Sequence, residues 1–186
     1  MKRTSTGICR ICESLFHRMR PLQVVCGPVC AHKQSMVLAA KKKHESAKAD
    51  RADTAAKKLA AKPRAQWLSE AQAAFNTYIR KRDANKPCIS CGATLRKSWD
   101  AGHYRSVGAM PMLRFNLHNV HKQCVPCNQH KSGNAIEYRI GLVKRIGPAL
   151  VEWLEGPHKA AKYTIDDIAA IKSFYKAKTK HLQELA

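Results

Sequence analysis

The sequence predicts an α+β chain, mainly helical, folded around a small zinc-stapled core and preceded by an N-terminal zinc module. Three observations lead there: eight cysteines in four close pairs, a long alanine/lysine run free of glycine and proline, and apolar residues recurring three and four apart in the segments that follow. The balance of charge narrows the partners. Of 186 residues, 34 are Lys or Arg and 13 are Asp or Glu, a formal charge of +21, which suits a nucleic acid or another polyanion. This length allows one real core and one small extra module. No run of about 18 apolar residues occurs, so no transmembrane span is expected. The start is basic, but Cys9, Arg10 and Cys12 stand where a secretion signal needs its apolar stretch, which points to a reducing cytoplasm.

The first element is a module over residues 1–32. Its cysteines, Cys9, Cys12, Cys26 and Cys30, have the spacing of two metal-binding turns, with Leu15, Phe16, Val24 and Val25 as the few apolar residues around them. Tetrahedral zinc needs four soft ligands at about 2.3 Å, and two short Cys-to-Cys turns aim four thiolates at one point. Disulfides are the alternative, disfavoured by the expected compartment and by the short loops such pairs would close. So thin a core cannot stand without its metal. The second element, 33–63, is an Ala/Lys-rich helix or linker carrying Lys41, Lys42, Lys43, Lys48, Arg51, Lys57 and Lys58. Its lysines serve either as phosphate contacts, Lys41 to Lys43 foremost, or as the solvated face of a spacer.

Pro63 breaks this pattern, and residues 64–186 form the third region. A helix to about Asp83 places Trp67, Leu68, Ala71, Phe75, Tyr78 and Ile79 on one face, for core packing in preference to base stacking. Residues 86–134 concentrate Cys, His, Asn and Arg around a second quartet, Cys88, Cys91, Cys124 and Cys127. An apolar helix follows at 135–146, then a break at Gly147-Pro148, a short helix through Trp153 and a second break at Gly156-Pro157. The last helix starts at Thr164, with Asp166 and Asp167 favourable at its positive end. Ile165, Ile168, Ile171, Phe174 and Tyr175 make its buried face.

The order of residues within 86–134 carries the chemistry. Two Cys-x2-Cys knuckles bracket Trp99-Asp100-Ala101-Gly102-His103-Tyr104-Arg105, Arg114-Phe115-Asn116 and Asn119-Val120-His121, and the last knuckle runs straight into Asn128, with His130 and Lys131 close behind. This arrangement resembles the HNH endonucleases, whose ββα-metal fold places a histidine on a hairpin strand and a metal ligand on the next helix. Over nearly the whole chain, including the N-terminal cysteines and Lys62-Pro63-Arg64, the sequence is similar to the NinG (Rap) family of lambdoid-phage recombination proteins. The resemblance implies a structure-specific DNA endonuclease acting on branched recombination intermediates, of the Holliday-junction or D-loop type, in the cytoplasm of a bacterial host. Recombination proteins are then possible partners, and a two-fold dimer suits the cutting of two strands.

Phosphodiester hydrolysis requires a base for the attacking water, a cation for the charge that develops on phosphorus oxygens, and a scaffold holding both. By analogy with the HNH enzymes, His103 is the general base, Asn128 a ligand of Mg²⁺ or Mn²⁺, and Asn119 the brace of the loop carrying His103. Zinc held by four thiolates has no open position, so the catalytic ion is separate and exchangeable. Where many HNH sequences have a metal ligand directly before the base, this chain has Gly102, and the nearest carboxylate is Asp100. On a regular strand Asp100 and His103 face opposite sides. Either a bulge at Ala101-Gly102 makes them converge, or His121, or failing that His130, completes the metal shell. Arg105, Arg114 and Lys131 are the nearby phosphate-binding residues. The alternative function is a zinc-dependent DNA-binding protein without catalysis. A zinc-bridged adaptor for acidic proteins would leave the His and Asn order a coincidence.

Overall fold

A computed structural model of the chain describes residues 5–160 and 162–184. The basic start Met1 to Thr4, part of the secretion-signal reading, lies outside the described residues. The chain divides into two compact units, with the boundary in sequence between Lys62 and Pro63.

In the first unit, β1 (Thr6–Ile8) and β2 (Leu15–His17) pair antiparallel with Gly7 opposite Phe16. A single long helix, α1 (Pro28–Ala60), follows. It begins at Pro28, ahead of the expected start at Lys33, because proline's fixed φ suits the first helical turn and its missing N–H has no partner to lose there. Cys30 therefore sits on that first turn, and it is the helix's buried residue. The apolar residues expected around the first quartet do not make a core: Leu15 is 75% exposed, and Phe16, Val24 and Val25 are half-buried.

The second unit is a small hairpin held between two helical layers. Its elements in order are α2 (Arg64–Arg82), β3 (Trp99–His103), β4 (Val120–Cys124), α3 (Ala135–Ile146), α4 (Pro148–Glu155) and α5 (Ile165–Glu184). Strands β3 and β4 are antiparallel in unbroken register, from Trp99 opposite Cys124 to His103 opposite Val120. Ala101 and Val120, on one face, join the core with Phe75 and Ile79 of α2, Phe115, and Ile168 and Tyr175 of α5. Phe75 meets Phe115 and Tyr175 edge-on, at ring separations of 5.7 and 4.7 Å. The aromatic face of α2 is thus core packing. On the other face, Tyr138 of α3 donates its hydroxyl to the Gly102 carbonyl at 2.8 Å. Behind it Tyr138, Leu142, Val151 and Leu154 pack with Ile89 and Leu113. The close seating of α3 needs Gly141, where a Cβ would fall 1.9 Å from the Ile89 carbonyl oxygen.

Thr164 caps α5 as expected, and reciprocally: its Oγ1 accepts the Asp167 N–H at 3.1 Å, and Asp167 Oδ2 accepts the Thr164 N–H at 2.8 Å. The inward stripe of α5 is narrower than the sequence pattern suggests. Ile168 and Tyr175 are buried, but Ile165 and Phe174 are 45% and 53% exposed, because the stripe that α2 covers does not reach the flanks of the helix. Among the described residues, no helix is long and apolar enough to cross a membrane.

Candidate metal centres and hairpin site

The sulfurs of Cys9, Cys12, Cys26 and Cys30 lie within 4.8 Å of one another, and so do those of Cys88, Cys91, Cys124 and Cys127. Four thiolates around zinc at bonds of about 2.3 Å stand about 3.8 Å apart. Cys12–Cys26 and Cys26–Cys30 are both 3.6 Å, and Cys88–Cys124 and Cys91–Cys124 both 3.7 Å. None of the eight is in a disulfide. Each cluster could hold one zinc ion, and each already has N–H donors facing sulfur: Cys26 N–H to Cys9 at 3.4 Å, Cys124 N–H to Cys88 at 3.3 Å and Asn134 Nδ2 to Cys127 at 3.7 Å. Within the first cluster the backbone N–H of Cys12 is the chief cause that draws the Cys9 thiol down to about 6, while the neighbouring Cys26 thiol pushes Cys30 up to about 12. Crowded thiols resist losing their later protons until a cation compensates the charge.

The second cluster fastens one end of the hairpin, since Cys124 ends β4 and Cys127 lies in the short helical turn Pro126–His130. That turn delivers Asn128 to β3. Its Nδ2 donates to Asp100 Oδ2 at 2.8 Å, and Gln129 Nε2 donates to the same oxygen at 2.9 Å. Asp100 and Asn128 are thereby brought together. His103 is not with them. No bulge interrupts β3, so Asp100 and His103 fall on opposite faces of the strand, and the convergence that a bulge at Ala101-Gly102 would give is absent.

The His103 ring is held instead by a loop. Its Nε2 lies 3.0 Å from the Arg114 carbonyl oxygen. A carbonyl only accepts, so Nε2 carries the hydrogen and Nδ1 the lone pair. Burial, foremost, pushes the imidazole below its ordinary value of 6.5, and the Arg114 charge adds to this against the pull of the Arg114 and Ala101 carbonyls. Asn119 is fully buried and ties that loop: its Oδ1 accepts the Arg105 N–H at 2.8 Å, and its Nδ2 donates to the Arg105 and Leu113 carbonyls at 3.0 and 3.1 Å.

His121 belongs to a different network, which corrects its reading as an alternative ligand beside Asn128. It is 3% exposed; its Nε2 donates to the His118 carbonyl at 3.1 Å, and its Nδ1 lies 3.1 Å from an Arg82 nitrogen and 3.6 Å from Asp83. Both ring nitrogens are engaged away from the Asp100 carboxylate. His130 is exposed. Asp83 is the hub of this network and was not legible as one from the sequence. Fully buried, it takes two bonds from Arg82 at 2.9 and 2.7 Å and the Lys122 N–H at 3.1 Å, with Lys86 at 3.3 Å. Burial raises its pKa, but the facing His121 ring, the bonds and charge of Arg82 and the Lys122 amide prevail and hold it well below the carboxylate range. The only local hint was an aspartate between Arg82 and Lys86 at a helix end. Of the expected phosphate-binding residues, Lys131 and, on α1, Lys41, Lys42 and Lys43 are exposed, while Arg105 and Arg114 are half-buried along the His103 loop.

The family model described as "Bacteriophage Lambda NinG protein" matches residues 1–184. The chain is 42% identical over 184 residues to Protein ninG of Salmonella phage P22, covering 93% of this chain and 91% of that protein. It is 42% identical over 183 residues to Protein ninG of Escherichia phage lambda, covering 92% and 90%. To Protein ninG of Escherichia phage 933W it is 40% identical over 186 residues, covering 94% and 92%. No solved structure matches the chain.

Proposed function

We propose, from the premise that this chain belongs to the phage NinG family, that it is a metal-dependent DNA endonuclease that cuts branched recombination intermediates. The hairpin β3–β4 and the turn after Cys124 act in this reading as a ββα-metal core of the HNH type. One observation carries it: a carboxylate and an amide, Asp100 and Asn128, meet 2.8 Å apart on a hairpin whose His103 is held with its lone pair on Nδ1. A hard divalent cation takes oxygen donors, and the Asp100 carboxylate with the Asn128 amide oxygen, once that amide turns over, is a donor set that fits Mg²⁺ or Mn²⁺. When bound, such an ion stabilises charge on the phosphoryl and leaving oxygens.

The chain's own residues do the rest. His103 takes a proton from water at Nδ1 while its Nε2–H stays on the Arg114 carbonyl. Burial keeps the ring neutral and ready. Asn119 holds the loop from Arg105 to Leu113 in register so that the Arg114 carbonyl stays under the imidazole. Arg105, Arg114 and Lys131 bind phosphate near the hairpin, and the lysines of α1 add affinity for a further stretch of DNA. The zinc ions of the two clusters are structural, each with its four positions filled by sulfur. Cutting two strands of a junction suits a two-fold dimer, and recombination proteins would deliver the substrate.

A second reading, a zinc-dependent DNA-binding protein without catalysis, is favoured by the placement of Asp100 and His103 on opposite faces of β3. Cleavage mapping on a synthetic four-way junction beside linear duplex separates the two. The expected result is nicking of the junction with Mg²⁺ or Mn²⁺, blocked by EDTA, and a loss of about 10²-fold or more in His103→Ala with junction binding retained. A His103→Ala protein that cuts at the wild-type rate would overturn the assignment.

A further inference from the structure

Gln123 is fully buried near the end of β4, directly opposite Asp100 on the same face of the hairpin. Its Nε2 is doubly anchored, donating to Ser90 Oγ at 2.7 Å and to the Gly133 carbonyl at 2.6 Å. That carbonyl can only accept, so the amide orientation is fixed. The other end of the amide is different: Oε1 is buried and has no hydrogen-bond partner among the described residues. A buried unpaired carbonyl is costly, and natural interiors hold few without an ion or a water at hand. Its position is specific as well. A Cβ on Gly102 would fall 2.0 Å from this oxygen, so the absent side chain at 102 is what lets Oε1 stand against β3 on the face that carries Asp100. The same scaffold reaches the asparagine, because the Gly133 N–H donates to the Asn128 carbonyl at 3.0 Å. One backbone residue thus ties Gln123 to Asn128, which in turn bonds Asp100.

We infer that Gln123 Oε1 is a third oxygen ligand of a divalent cation held with Asp100 and Asn128. This rests on the metal-dependent reading above and adds a residue to it. Gln123 supplies from the neighbouring strand a donor where Gly102 has none, and a neutral amide keeps the site's charge at that of Asp100 alone. Oxygen number and ligand charge set the affinity of such a site.

Binding of Mn²⁺ alone to the zinc-loaded full chain, followed by electron paramagnetic resonance, tests this without any cleavage. Gln123→Met keeps the shape and removes the oxygen, and should weaken binding at least tenfold with two zinc ions per chain retained. Gln123→Glu gives the opposite sign: a ligand carboxylate should tighten Mn²⁺ at least threefold. A merely structural glutamine would make Glu as damaging as Met, since Glu loses the donors to Ser90 and Gly133. As a check on folding, the pair Gly102→Asp with Gln123→Ala, which puts a carboxylate on β3 where Oε1 stood, should regain binding that Gln123→Ala alone loses. Weakening by Gln123→Glu, its failure to fold even with Mn²⁺, or wild-type affinity in every variant overturns the role of Gln123. If the wild-type chain itself binds no Mn²⁺, the metal-dependent reading fails as well, which is a distinct result.

Discussion

A single carbonyl fixes the tautomer of His103. With Nε2–H bonded to Arg114 O, the imidazole has one tautomer and one basic nitrogen, and burial shifts its titration below the ordinary 6.5. In the proposed role the base must be unprotonated to act, so cleavage should be full above the folded-state pKa and fall as pH drops through it. The acid limb of kcat/KM is therefore expected below 6.5, and a limb above that value would contradict the burial of the ring. Asn119 is the counterpart in the backbone. Its three bonds serve two residues of the loop, which is why an asparagine, with both donor and acceptor, suits that buried position. The residue order around His103, Asn119 and Asn128 was legible in sequence. Gln123 was not, because its role depends on a glycine lying across the hairpin, twenty-odd positions earlier in the chain.

Among the elements, the hairpin is held at one end by the Cys88 cluster and along its length by Asp83 at the end of α2. Arg82 continues from Asp83 to the Leu117 and Val120 carbonyls at 2.9 and 2.8 Å, so one buried ion pair joins α2 to β4 and the loop before it. Removing one partner of such a pair leaves the other charge buried and unmatched. Asp83→Ala should cost about 3–5 kcal/mol. All three tryptophans, Trp67, Trp99 and Trp153, lie in the second unit, so their fluorescence in urea reads this loss without interference from the first. A shift under about 1 kcal/mol would mean that surrounding water compensates the cluster. Helix periodicity located α2, α3, α4 and α5 well, since each presents an apolar stripe to a partner. It overestimated the width of the α5 stripe, because an isoleucine at helical spacing is buried only where a neighbour covers it.

At the scale of the molecule, the two units differ in what holds them. The second has two apolar clusters, one built from α2, the hairpin and α5 and the other around α3 and α4. Among the described residues, the first has Cys9 and Cys30 as its buried apolar residues and a 33-residue helix with no buried side chain besides Cys30. Zinc in the Cys9 cluster, on the order of 10 kcal/mol, would then supply most of its folding free energy. A strong chelator at neutral pH should remove amide-exchange protection around Cys9 and Cys26 and fray the start of α1, while the core of α2 and α5 stays protected; equal protection with and without zinc would disprove that dependence. The sequence by itself determined the cysteine quartets, the helices, the positive charge and the family, because thiol spacing, apolar period and residue order are local properties of the chain. Tertiary structure alone decided that Asp100 of β3 meets Asn128 of the turn after β4, that His103 turns to the Arg114 carbonyl, that His121 joins Asp83 and that Gln123 presents an unpaired oxygen. Those pairings depend on strand register and on which face each layer covers, and the energy of a buried polar group is set by neighbours that lie far away along the chain.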